Sequence, residues 1–161
     1  MNYSDLSNVL EYEVSLLDKL VYRLDAEYLL VEGNRHNYLM SATAEVNEAL
    51  EAIKEAEIRR AVVSADVCMS LDLDPLTPLA EIADRAPEPW STILKEQRSN
   101  LISLTNTVAE IKEKLSRMLA QRIAITEEVL SLLDSSNPMS MYGRDGRRSR
   151  DTTISLLDGR I

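Results

Sequence analysis

The fold is decided by LKEQRSNLISLTNTVAEIKEKLSRMLAQRIAITEEVLSL, Leu94 to Leu132. Positions 94, 97, 101, 104, 108, 111, 115, 118, 122, 125, 129 and 132 advance by alternating steps of three and four, and only Gln97 and Arg122 among them are not apolar. A sustained seven-residue repeat of this kind keeps one stripe of a helix facing a partner helix, as in a left-handed coiled coil or a bundle. From Glu88 to Asp134 such a helix would be about 70 Å long at 1.5 Å per residue. The SSNP run at Ser135–Pro138 ends it.

Upstream, Leu6, Leu10, Val14, Leu17, Val21, Leu24, Tyr28 and Val31 form another stripe at helical spacing. Ser4 is the expected N-cap, with Asp5 in the first turn, where the helix dipole favours an anion. Glu32-Gly33-Asn34 is the first turn signal, because Gly and Asn tolerate positive φ. A second segment follows from about 35 to 69, striped by Leu39, Ala42, Val46, Ala49, Ile53, Ala56 and Val63. Large residues alternating with Ala let a neighbouring helix approach closely. LDLDPLTP (Leu71–Pro78) breaks the pattern, and Thr77-Pro78 suits the N-cap and first position of a short helix, Leu79 to Arg85. Trp90, just after two prolines, is expected to pack over that short helix and lock the corner.

These readings give an all-α protein: an elongated antiparallel bundle of three long helices plus one short helix over residues 1–134, with a flexible C-terminal tail over 135–161. Helices one and two form a hairpin, and the last lies along both. Because the last helix outlasts the first two, its stripe is expected to emerge uncovered, with Leu115, Met118, Leu119, Ile125, Val129 and Leu132 as the candidates. Exposed apolar patches of that kind mark partner surfaces.

Composition narrows the function classes. The 161 residues hold no Phe and one Trp, and 45% are hydrophobic, so the core is aliphatic. The formal net charge is −9. Residues 135–161 carry five Arg against three Asp, a net +2, so the remainder carries −11. An acidic body cannot neutralise phosphates, which argues against nucleic acid as a partner. The single cysteine, Cys68, admits no internal disulfide and fits a reducing cytoplasm. The N-terminus lacks a basic-then-apolar signal pattern, and no apolar run reaches the roughly 20 residues of a membrane span.

Chemistry is absent from the pattern. One histidine, His36, cannot supply the paired Glu-x-x-His motifs of a helical di-iron site or a zinc ligand set, and it is expected on the solvated surface. Cys68 has no second cysteine and no nearby histidine, and free cysteines prefer burial. The four glycines form no phosphate-binding loop. The expectation is a protein with no catalytic residue, no metal and no cofactor.

The stretches EAEIRRAVVSADV (Glu55–Val67), PLAEIADRAPEPWSTIL (Pro78–Leu94), the long heptad helix and the terminal MYGRDG occur in an order that resembles the FlgN-type flagellar export chaperones, across almost the whole chain. The APEPW element at Ala86–Trp90, followed about fifty residues later by Tyr-Gly-x-Asp-Gly, is its most specific part. The resemblance implies a cytoplasmic, all-helical chaperone of flagellar type III export without ATPase or cofactor. It implies clients that are hook-filament junction (hook-associated) proteins, bound by their helical C-terminal ends, kept from assembling early and delivered to the export gate. The uncovered stripe, Leu115, Met118, Leu119, Ile125, Val129 and Leu132, then becomes the client-binding surface.

The tail adds a second element. Tyr142 offers a rigid aromatic anchor with a hydroxyl, Gly143 and Gly146 permit a tight turn beside it, and Arg144, Arg147 and Arg148 can pair with acidic surface. The resemblance implies that Tyr142, Gly143 and Gly146 dock on the export gate. An alternative reading, a coiled-coil adaptor or scaffold unrelated to secretion, would satisfy the heptad seam by self-association, and the oligomeric state is left open.

Overall fold

The structure is a computed structural model and describes residues 3–135. Four helices follow one another: α1 (Tyr3–Glu32), α2 (His36–Ser70), α3 (Leu79–Arg85) and α4 (Trp90–Ser135). The expected all-α bundle is the architecture found. The tail expectation, from residue 136 onward, lies outside the described residues. Two end signals read from sequence fall elsewhere. Ser4 lies inside the first turn of α1, which already begins at Tyr3. At α3 the cap position is taken by Pro78 with no side-chain cap. Thr77 instead closes the preceding turn, its amide and its hydroxyl both donating to the carbonyl of Asp74.

Both ends of the α1–α2 hairpin use the same device. At the end of α1 the amide of Arg35 donates to the carbonyl of Leu30 and that of Asn34 to Val31, with Asn34 left-handed at φ 57°. At the end of α2 the amide of Leu73 donates to Cys68 and that of Asp72 to Met69, with Asp72 at φ 55°. These pairs satisfy carbonyls that the helix end would orphan, and the left-handed residue is most often Gly. Asn and Asp occupy it here, at a small steric cost. Asp72→Gly is therefore expected to stabilise the fold by about 0.5–1 kcal/mol, read as a higher urea midpoint with an unchanged m-value.

The long helices are ordered by α1, which packs against both α2 and α4. Among the described residues no Cα of α2 comes within 8 Å of one of α4, so α4 lies along α1 alone and not along both helices of the hairpin. Its direction is set by contacts at both ends. Tyr3 stacks on Trp90 with ring centroids 6.3 Å apart. Gln97 donates to the carbonyl and hydroxyl of Ser7, and Arg122 reaches Asn34 and Glu32. Residues 3, 7 and 34 meet 90, 97 and 122 in the same order, so α4 is parallel to α1 while α2 is antiparallel to it. Trp90 thus locks a corner that joins the start of α4 to the start of α1. The short α3 packs on α4, burying Leu79, Ile82 and Ala83, and Lys95 pairs with Asp84 at 2.9 Å across its rim.

A helix flanked on two sides needs two packed rows, and α1 has one that is buried and one that is half-buried after Tyr3. Leu6, Leu10, Glu13, Leu17, Leu20, Leu24, Glu27 and Val31 are all buried and advance by threes and fours. This row is easily overlooked because two carboxylates interrupt it, and both carboxylates face α2. Arg60 Nε lies 3.1 Å from Glu13 Oε2, and Thr43 donates its hydroxyl to Glu27. A second row carries Tyr3 and Ser7, which meet α4, and continues at the same spacing through Val14 and Val21, packed against the core. On α2 the buried positions Val46, Ala49, Ile53, Ala56 and Val67 continue through Arg60, which fills the gap between Ala56 and Val63. Polar seam residues thus meet polar seam residues, which fixes the register of each helix pair.

Candidate partner-binding face

The site is built by a difference in helix length. α4 has 46 residues and α1 has 30. Their register is pinned at the far end by Arg122, one of the two polar positions in the heptad stripe. Its guanidinium donates to Asn34 Oδ1 at 2.8 Å and to the Glu32 carbonyl at 3.1 Å. Asn34 thus serves twice, adopting the left-handed turn and holding α4 on it. Past Arg122, α4 runs on to Ser135 with nothing of α1 left to cover it, an overhang of about 20 Å at 1.5 Å per residue.

Burial along the stripe follows this geometry. Leu94, Leu101 and Ile111 are buried. Leu115 is 8% exposed, so it belongs to the core and presents no surface to a partner. The expectation that it stands uncovered fails because α1 reaches past it to Arg122. Met118 is half-buried at the boundary. Leu119 is 37% exposed, Val129 49%, Ile125 60% and Leu132 64%. The structure therefore brings five of the six stripe candidates onto one segment, at or past the limit of cover. Tyr142, Gly143 and Gly146 lie outside the described residues.

Sequence reading missed a neighbouring row. Ile123, Leu130 and Leu133 are also exposed and lie beside the heptad stripe. Their signal was available: apolar residues at 119, 123, 130 and 133 at helical spacing, offset by one position from the repeat. Where this row meets the hairpin turn there is an open groove of about 250 Å³, walled by Val31, His36 and Leu39 on one side and Leu119, Arg122, Ile123, Thr126 and Glu127 on the other. His36 is exposed at its rim.

The buried titratable groups lie away from this face. Burial pushes the Glu13 carboxyl up to about 7, with Arg60 pulling it down and Glu57 pushing it up further. Burial likewise raises Glu57. The Cys68 thiol is raised by burial more than its hydrogen bond with Thr77 lowers it, so it stays protonated in the core. Among the described residues no group of three or more His, Cys, Asp or Glu could hold a metal ion, and no helix is long and apolar enough to cross a membrane.

An all-helical chain with an uncovered apolar helix end suits a protein that holds other proteins. Residues 1–150 match the family described as FlgN protein. The chain belongs to the FlgN family. FlgN proteins are chaperones of flagellum assembly and type III export that bind flagellar proteins. No curated protein and no solved structure matches the chain. For this FlgN-family chain, the match runs through all four helices and the exposed end of α4.

Proposed function

We propose that this chain is a cytoplasmic chaperone for hook-filament junction proteins, holding the helical C-terminal end of its client on the distal part of α4. The single observation that carries the reading is the emergence of the heptad stripe from cover past Arg122, with Ile125 and Val129 exposed beyond it. An isolated amphipathic client helix has no partner for its apolar face. The overhang of α4 supplies one, in the helix-against-helix mode of peptide recognition. Each Leu-sized anchor buried there contributes about 1.5–3 kcal/mol before ordering costs, so a handful suffices for micromolar binding. Covering the client helix keeps it from assembling early. Leu119→Asp with Ile125→Asp is expected to lower client affinity at least tenfold while leaving the circular dichroism and melting of the chaperone unchanged. Unchanged affinity in a folded double variant contradicts the reading. A tight self-oligomer that buries the overhang in the absence of client favours a scaffold instead.

Delivery is assigned to a separate element, the Tyr142-Gly143-x-x-Gly146 segment, as the docking point for the export gate. Support for this comes from the resemblance of the MYGRDG segment to the end of the FlgN-type chaperones, with Tyr142 as its aromatic anchor. Tyr142→Ala is expected to keep client binding and to lose both gate binding and export. Pull-down of client and of gate, measured on the same variant, checks it, and loss of both together or of neither contradicts a two-site chaperone.

A further inference from the structure

The overhang of α4 carries two apolar rows, not one. The heptad row is Met118, Arg122, Ile125 and Val129, and beside it run Leu119, Ile123, Thr126 and Leu130. At 3.6 residues per turn the centres of the two rows stand about 100° apart. The second row is densest toward the overhang: nearer the start of α4, the same helical line carries Lys95, Arg98, Ile102, Thr105, Ala109, Lys112 and Ser116, with Ile102 its one large apolar residue. Apolar width therefore grows where intramolecular cover stops.

A single partner helix occupies one row of this kind, and a helix with two rows is flanked twice. The protein contains its own example, since α1 has two rows and is packed by α2 on one side and α4 on the other. The heptad row on the overhang continues an existing interface, and the second row faces the start of α2 across an open groove. The heptad row extends the seam that α1 fills up to Arg122. The second row opens from the groove whose opposite wall is His36 and Leu39, at the start of α2. The remaining side of the overhang is acidic: Glu127, Glu128 and Asp134 stand against Arg122, which is committed to the turn.

We infer that the overhang takes two amphipathic helices of the exported protein at once, one continuing the line of α1 and the other the line of α2, both with basic residues along the edges that flank Glu127 and Glu128. This rests on the reading of α4 as the client-binding helix and specifies its partner as a helix pair. The hairpin turn of the chaperone then forms the floor on which the pair stands.

The test uses the full chain and a peptide covering the C-terminal helical region of a hook-filament junction protein. Environment-sensitive dyes are attached at Ile123→Cys and, separately, at Val129→Cys, with Cys68 shielded in the core. Binding is expected to shift both dyes to the blue. Titration calorimetry is expected to show two single-helix peptides, or one two-helix segment, per chain. Asp substitution of either row, Ile123→Asp with Leu130→Asp or Ile125→Asp with Val129→Asp, is expected to weaken binding at least tenfold. A shift at position 129 alone, with one helix bound and the second row insensitive, overturns the helix pair and leaves the chaperone reading standing. A dye at position 123 already buried before peptide is added, by a second copy or by the chain's own tail, also overturns it. Insensitivity of both rows removes the client-binding reading as well.

Discussion

Replacing Arg60 with Met is expected to cost about 1–1.5 kcal/mol more at pH 8 than at pH 5, because the buried Glu13 carboxyl is ionised at pH 8 only with Arg60 beside it and must otherwise take up a proton. Glu13 is almost completely buried, and Arg60 Nε stands 3.1 Å from its Oε2 without the alignment of a hydrogen bond. The contact offsets part of the desolvation, and the carboxyl still sits at about 7. A folded-state value above the unfolded one means that the folded protein binds the extra proton between about 4.5 and 7. Stability is therefore fullest below that window and falls as pH rises through it, by about 3 kcal/mol for a shift of this size. Arg60 is the group that pulls Glu13 down. Its removal pushes the carboxyl higher and carries the loss of stability to higher pH. Glu13→Gln is expected to flatten most of the profile, and in that background Arg60→Met keeps only the pH dependence it exerts through Glu57, which burial raises and Arg60 lowers. Urea unfolding of the four proteins across pH 5–8 checks this. An Arg60→Met cost that does not change with pH would contradict the assignment.

Replacing Trp90 with Asp is expected to cost about 3 kcal/mol or more, at the scale of losing a large aromatic from a core. Trp90 stacks on Tyr3 and packs against the core cluster. It stands where the first turn of α1, the start of α4 and the end of the α3 connection meet. A carboxylate at that place has no partner, and the desolvation of one is expensive. Trp90→Phe is expected to keep most of the stability, because the ring contact is retained. Thermal melting of the two variants separates a packing role from a partner contact. A Trp90→Asp protein that melts normally but fails to bind client would contradict the structural role.

The two substitutions touch residues of different legibility. Trp90 was marked by its two prolines, although its partner Tyr3 lies at the other end of the sequence. Glu13 and Arg60 were passed over because charged residues at helical spacing are usually solvated. Only the packing of α2 against α1 puts this pair inside. The candidate face was half visible. Leu119, Ile125, Val129 and Leu132 follow from a repeat that outlasts its neighbours. Leu115 was misplaced because cover depends on where α1 stops along α4, and that is fixed by Gln97 at one end and Arg122 at the other. The row through Ile123 and Leu130 stayed hidden behind the stronger repeat.

By itself the sequence determined the four helices, their breaks and the unbroken seam of α4, because spacing, turn residues and prolines act within a few neighbours along the chain. Tertiary structure alone decided that α1 is central, that α4 runs parallel to it without following α2, and that the apolar cover ends at Arg122. Those depend on pairs some ninety residues apart, Gln97 with Ser7 and Arg122 with Asn34, whose meeting no local pattern encodes.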